Sequence, residues 1–326
     1  MVRVGLVGCG AWGFNYIRTL CSIPEAKIEY ICDIKEESLQ KAKKTHSGIK
    51  YTTDYRELLL DDQLDGIIIA TSPHSHFTIA ADFLSRNKAV LVEKPCTVSY
   101  HEADTLIRLA EKNNTILMAG HLMEYHPAVL KMQEYISQGL LGRLRYILLE
   151  RTSLGKNQND VGVHWDLTVH DLSMVRCLVN RNPKWVSAHG VSYRQQNIYD
   201  LVIVTMEFPD DLLVQFHANW ITPIKKRQAV ISGDQMTMVF DDVKDTDKLQ
   251  LISNSGEITM PGFEKSLSLT NQCIHFVDCI KTKSPPKTGS ADIIWVIKAM
   301  ELAEQSLLHN GAKLCWGWNG GLDVKD

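Results

Sequence analysis

Residues 2–33 read VRVGLVGCGAWGFNYIRTLCSIPEAKIEYICD. The opening run is rich in β-branched side chains and leads straight into Gly8-Cys9-Gly10-Ala11-Trp12-Gly13. A helical pattern follows to Leu20 and is stopped by Pro24, and a second strand pattern, 27–32, ends at Asp33. Strand, Gly-x-Gly-x-x-Gly, helix, strand and acid, in that order, is the layout of a dinucleotide half-site. Gly8 permits a tight turn, Gly10 lets a pyrophosphate approach the backbone, and Gly13 lets the helix pack on the strand. Ala11, Trp12 and Gly13 open the helix, whose free N–H groups and positive dipole end would face the phosphates. Asp33 would bond the adenosine ribose hydroxyls. Its charge repels a 2′-phosphate, so NAD is expected over NADP, a preference that nearby Lys35 softens.

The same alternation extends outward. Helical patterns at 38–45, 76–86 and 99–112 alternate with apolar runs at 65–70, 89–92 and 115–119. Strands without a polar face, alternating with helices, indicate a parallel sheet covered on both sides. Ligands of such sheets sit at the carboxyl ends of the strands. The residues there are Thr71, Ser72, Pro73 and His76, then Glu93, Lys94 and Pro95, then Gly120 and His121. A lysine at a strand's carboxyl end, held between a glutamate and a proline, is placed for function rather than for solvation; the proline restricts the turn and the residue before it.

Beyond Gly120 the pattern changes. A helix is expected from His126-Pro127 through Ser137, and strand-like runs follow at 143–153, 184–194, 201–208, 212–220, 228–232, 237–240 and 248–252, several separated by turn residues. One helix, about 165–179, interrupts them, and helices at 270–281 and 290–309 close the chain. The expected fold is therefore α/β plus α+β. A Rossmann domain, 1–122, precedes a domain, 123–326, built on a large, mostly antiparallel, open-faced sheet. The open face needs cover, so a homodimer or homotetramer through that sheet is expected.

Within the interrupting helix, 161–175 reads VGVHWDLTVHDLSMV. On a regular helix, Asp166, His170, Ser173 and Cys177 fall on one stripe and the apolar residues opposite. Asp171 falls in the apolar arc and requires a partner, such as an arginine. His164, Asp166 and His170 lack further ligands, so no metal is expected. The formal net charge of −3 offers nothing to nucleic acid or an anionic membrane, and no run is long enough to span a bilayer. Eight cysteines without Cys-x-x-Cys, and no signal peptide at the start, suggest a reduced, cytoplasmic protein.

Taken together, the glycine motif, Thr71-Ser72-Pro73-x-x-His76, Glu93-Lys94-Pro95 and Asp166-x-x-x-His170 resemble the glucose–fructose oxidoreductase / inositol dehydrogenase / MocA family over essentially the whole chain. Gly120-His121 through Tyr125-His126-Pro127, and Leu154-Gly155-Lys156 leading to Trp165-Asp166, are most similar to its sugar-nucleotide 3-dehydrogenases. The usual small residue after the second glycine, Ala11, is followed here by Trp12, which would shape the cofactor pocket. The resemblance implies NAD-dependent oxidation of the 3-hydroxyl of a UDP-linked N-acetylhexosamine or its uronate. His170 would be the base, Lys94 the holder of the hydroxyl oxygen, and Asp166 its neighbour on the helix. The cofactor set is Gly8, Gly10, Ala11, Trp12, Gly13, Asp33, Thr71, Ser72, Pro73, His76, Glu93, Lys94 and His121. The substrate set is Tyr125, His126, Arg151, Lys156, Asn157 and Trp165, with Arg151 and Lys156 for the phosphates. Two alternatives stand beside this: a dehydrogenase of a free sugar or polyol such as inositol, and a non-catalytic NAD-binding sensor.

Overall fold

The computed structural model describes residues 1–155, 161–196 and 198–318. The chain forms two compact units. The first holds Met1–Tyr125 and Ser266–Ile297, and the second holds His126–Lys265 and the described chain from Lys298.

In the first unit the order is β1 (Val2–Val7), α1 (Ala11–Cys21), β2 (Ala26–Cys32), α2 (Glu36–Thr45), β3 (Lys50–Thr52), α3 (Arg56–Leu59), β4 (Gly66–Ile69), α4 (Pro73–Leu84), β5 (Ala89–Val92), α5 (Tyr100–Lys112) and β6 (Leu117–Ala119). The strands form one parallel sheet in the order β3-β2-β1-β4-β5-β6. Strand order reverses at β1, between β2 and β4, which opens a crevice at the carboxyl ends. Register places Val7 beside both Cys32 and Ile69, so Gly8, Asp33 and the chain after β4 leave the sheet together. β4 and β5 are buried along their whole length, as a sheet covered on both faces requires. β3 and α3 were not expected: three and four residues are too short to show a periodicity.

The second unit begins with α6 (Pro127–Ser137) and β7 (Leu144–Thr152), followed by α7 (Val169–Val179) and the strands β8 (Trp185–Val191), β9 (Leu201–Glu207), β10 (Leu213–Asn219), β11 (Lys226–Gly233), β12 (Met236–Asp241), β13 (Leu249–Ser253) and β14 (Ile258–Thr259). The chain then returns to the first unit as α8 (Ser268–Thr282). α9 (Ser290–Leu308) begins in that unit and leads back to the second, where β15 (Leu314–Cys315) follows. The nine-stranded sheet runs β14-β13-β12-β11-β7-β10-β9-β8-β15 and is antiparallel except where β10 lies parallel to β7. Side chains alternate across it. Ile147, Leu149, Val204, Phe216, Ile231 and Met238 are buried on one face. Tyr146, Leu148, Thr205, Gln215, Val230 and Val239 stay half-exposed on the other.

The return of α8 supplies much of the first unit's core. Phe276 and Val277 join Val4, Leu6, Tyr16, Ile17, Ile31, Ile68 and Leu91 in one buried cluster. Each side chain of that size contributes about 1.5–3 kcal/mol when removed from water. Among the described residues no helix is long and apolar enough to cross a membrane.

Candidate active site

The phosphate loop is shaped by contacts that only glycine allows. Gly8 has φ +95°, and a Cβ there would lie 2.5 Å from the Ala70 carbonyl oxygen. A Cβ on Gly13 would lie 2.2 Å from the Gly8 carbonyl oxygen. Gly10 differs, because nothing lies within 4 Å of where its Cβ would be. That open space sits at the N-cap of α1, where Gly10 makes no side-chain cap bond. An uncapped helix start beneath an open glycine fits a pyrophosphate. Asp33 closes the other side: Oδ2 accepts from the Cys9 N–H at 2.8 Å and Oδ1 from the Lys35 N–H at 2.8 Å. Each oxygen keeps acceptor capacity for a ribose hydroxyl. Burial, and then the Asp33 charge, push the Cys9 and Cys32 thiols up to about 12, so neither is a nucleophile.

The neighbouring loops are fastened by side chains. His76 is fully buried, with Nδ1 2.9 Å from the Pro95 carbonyl oxygen and Nε2 3.1 Å from that of Thr71. It ties the loop after β4 to the loop after β5, and burial pushes its pKa down. Ser72 and Pro73 start α4, while the Thr71 hydroxyl accepts from Ser75 at 2.7 Å. The Lys94–Pro95 peptide is cis. Glu93 Oε2 accepts from the Lys94 N–H at 3.0 Å, while its Oε1 accepts from Trp12 Nε1 at 2.5 Å and the Tyr16 hydroxyl at 2.6 Å.

His121, at the end of β6, is buried against Asp292 through Nδ1 and Oδ2. Glu124 lies beside them, so that three ligand-type atoms fall within 4.8 Å of one another. These residue types suit a divalent cation, and the imidazole and the Asp292 carboxylate are already bonded to each other directly. Tyr125 is buried and pairs with the Thr288 hydroxyl at 3.3 Å.

In the second unit the expected helix is not regular. Residues His164–Thr168 form a π turn before α7 begins at Val169. The extra residue in that turn breaks the single stripe. Asp166 and His170 stay half-buried, but Ser173 and Cys177 are buried, and the Ser173 hydroxyl returns to the His170 carbonyl at 2.9 Å. Asp171 has its arginine, which is Arg151. The guanidinium Nε lies 3.0 and 3.1 Å from the two Asp171 oxygens, and a terminal nitrogen 2.6 Å from Oδ1. Arg151, expected on a substrate phosphate, is therefore held in a buried ion pair. His126 caps α6, with Nδ1 accepting from the Ala128 N–H at 3.2 Å and Nε2 lying 3.3 Å from Asp242. Trp165 is buried and donates to Glu304 at 3.2 Å. Lys156 and Asn157 lie outside the described residues.

Residues 2–121 match the family described as "Oxidoreductase family, NAD-binding Rossmann fold", and residues 129–239 match the "GFO/IDH/MocA C-terminal domain". The chain is a Gfo/Idh/MocA oxidoreductase. It is similar to the UDP-N-acetylglucosamine 3-dehydrogenase of Acidithiobacillus ferrooxidans, with 28% identity over 59% of this chain and 58% of that enzyme. A solved structure of that dehydrogenase superposes with TM-score 0.84 at 22% identity, covering 94% of this chain and 98% of the other. It is also similar to the myo-inositol 2-dehydrogenase of Thermotoga maritima, with 24% identity over 73% of this chain and 72% of that enzyme. The matched family is an NAD-binding one, and the match to its Rossmann domain falls on residues 2–121.

Sequence reasoning did not anticipate Tyr16, Gln272, Glu124 and Asp292. Tyr16 sits on the apolar side of α1 and reads as core. Asp292 lies 171 positions from His121, and no local spacing relates them.

Proposed function

We propose that this oxidoreductase oxidises the 3-hydroxyl of a UDP-linked N-acetylhexosamine, or of its uronate, to a ketone. NAD supplies the hydride acceptor. Lys94 holds the hydroxyl oxygen and stabilises the negative charge that grows as its proton leaves. His170 takes that proton; an imidazole titrates near working pH, and such bases contribute about 10²–10⁴-fold. Asp166 orients His170 or bonds a neighbouring sugar hydroxyl. The observation that carries the reading is Glu93-Lys94-Pro95: a lysine at the carboxyl end of a buried strand, its amide fixed by the preceding carboxylate. The sugar-nucleotide part rests on the 28% identical 3-dehydrogenase. With Arg151 committed to Asp171, the UDP phosphates fall to Lys156 and Asn157, and Tyr125, His126 and Trp165 remain lining residues. A second copy covers the half-exposed face of the large sheet.

The test is NADH formation with UDP-N-acetylglucosamine, its uronate, N-acetylglucosamine and myo-inositol, with 2-oxoglutarate present as a sink. Turnover limited to UDP-sugars supports the proposal. Turnover of myo-inositol instead supports the second reading, a polyol dehydrogenase, which the longer alignment with the inositol enzyme favours. Lys94→Ala and His170→Ala should each abolish turnover and leave NAD affinity within about twofold, since neither removes a phosphate or ribose contact. Near-normal turnover in either variant overturns the assignment.

A further inference from the structure

Glu93 is held more tightly than a residue needed only for its backbone. It is buried at 8% exposure, and both of its oxygens are occupied. Oε1 takes the Trp12 indole N–H at 2.5 Å and the Tyr16 hydroxyl at 2.6 Å, and Oε2 takes the Lys94 amide at 3.0 Å. Behind Tyr16 stands Gln272 of α8, whose Nε2 donates to the Tyr16 oxygen at 3.1 Å. Tyr16 and Gln272 are both fully buried. The chain of donors is directional. Gln272 donates to Tyr16, so the tyrosine proton is turned to the carboxylate, and each bond polarises the next. Burial and the adjoining Glu93 charge hold the Tyr16 phenol well above its ordinary pKa, which keeps that proton in place. On the other side the Gly120 backbone lies close against Glu93. A Cβ there would lie 3.1 Å from Glu93 Cα and 3.2 Å from its carboxylate. Glu93 is thereby restrained on every side that these contacts reach, and the Lys94 amide is clipped to it.

We infer that Trp12, Tyr16 and Gln272 are positioning residues: they fix the Glu93 carboxylate and, through its bond to the Lys94 amide, set the direction in which the Lys94 side chain leaves β5. Their influence on Lys94 rests on the assignment of Lys94 above. This also gives a use to Trp12, whose ring is 42% exposed yet whose N–H is spent inward on Glu93. Tyr16, wholly inside the first unit, acts on Lys94 only through Glu93.

The test uses the intact protein and three replacements. Tyr16→Phe removes one donor without changing shape. Gln272→Glu replaces the donor behind Tyr16 by an isosteric acceptor, which draws the tyrosine proton away from Glu93. Trp12→Phe removes the other donor at a half-exposed site and keeps a folded protein should the buried replacements fail. Two readouts are taken. The first needs no substrate: the rate at which acetic anhydride acylates Lys94, read by peptide mass spectrometry against exposed Lys41, with NAD affinity measured by calorimetry. The second is the split between kcat and KM on whichever substrate is turned over. We expect the Lys94 rate to change at least about threefold, NAD affinity to hold for Tyr16→Phe, and kcat to fall about tenfold with KM nearly constant. An unchanged Lys94 acylation rate in every folded variant, even with a lower melting temperature, overturns the inference and leaves these residues merely structural. A changed rate with no turnover of any sugar or polyol upholds the positioning of Lys94 and overturns the dehydrogenase reading instead.

Discussion

Replacing Asp171 with asparagine should unfold the second unit early rather than weaken substrate binding. The Arg151 and Asp171 side chains are 9% and 5% exposed, and the guanidinium meets the carboxylate at 2.6, 3.0 and 3.1 Å. Asparagine fills the same space but removes the counter-charge and leaves a buried cation facing an amide. Breaking a buried pair from one side costs about 3–5 kcal/mol. The Asp242 and Asp166 charges also act on Arg151, which places the loss toward the lower end of that range. In a unit of this size each kcal/mol moves the melting temperature by about 2–4 °C, so a fall of roughly 6–15 °C is expected. Arg151→Lys keeps the charge but loses the two-pronged geometry, and should lose a large part of the same stability. The paired replacement Arg151→Met with Asp171→Leu removes both charges and should restore most of it. Urea unfolding and thermal melts of the wild type, Arg151→Met, Asp171→Leu and the paired replacement complete the cycle. The reasoning is refuted if Asp171→Asn and Arg151→Met each cost under about 1 kcal/mol while KM for a UDP-sugar rises tenfold or more. In that case Arg151 serves the ligand.

The glycine loop makes a paired prediction. Gly10→Val enters open space at an ordinary φ of −69° and should leave the melting temperature nearly unchanged while abolishing NAD binding by calorimetry. Gly13→Ala meets the Gly8 carbonyl at 2.2 Å and should lose stability as well as NAD; equal stability in the two would contradict this account of the loop. Asp33→Ser removes the charge that repels a 2′-phosphate, so the ratio of NAD to NADP efficiency should fall about tenfold or more, as steady-state kinetics with both cofactors would show. His164 is fully buried and held down to about 3 by desolvation. Below its unfolded pKa of about 6.5 the unfolded chain binds a proton that the native imidazole refuses. Stability should therefore fall from about pH 6.5 toward pH 3, by up to ~1.4 kcal/mol per pH unit. His164→Leu should flatten that slope in urea titrations between pH 7 and 4, and an unchanged slope would mean that the native imidazole is protonated.

What was legible in the sequence follows from how locally each feature is encoded. The parallel sheet could be read because β4 and β5 are short, wholly apolar runs bounded by helices, and because Gly8 and Gly13 mark a turn that no other residue fits. The antiparallel strands could be read because burial alternates residue by residue, as along β9 and β10. The π turn before α7 could not. Five residues of π geometry carry the same composition as a regular helix, and the apolar pattern after them still fits a period of 3.6. The partners that hold the site together were also out of reach. Tyr16 and Gln272 are 256 positions apart, and His121 and Asp292 are 171 apart. Only the return of α8 and the start of α9 to the first unit brings them into contact.

Arg151 stands where two demands for a cation compete. Asp171 in an apolar arc needs a cation, and a phosphorylated substrate needs cations too. A buried carboxylate is the stricter claimant. Leaving it unpaired costs several kcal/mol in every molecule at all times, whereas a phosphate can be met by solvated lysines or by backbone N–H groups when it binds. Arg151 lies on a strand where alternate residues face the core, so it was the arginine placed to answer Asp171. Satisfying the interior first removes it from the ligand set. Under the proposed function the phosphate contacts are then assigned to Lys156 and Asn157, and replacement of Lys156 should raise KM for a UDP-sugar and leave stability untouched.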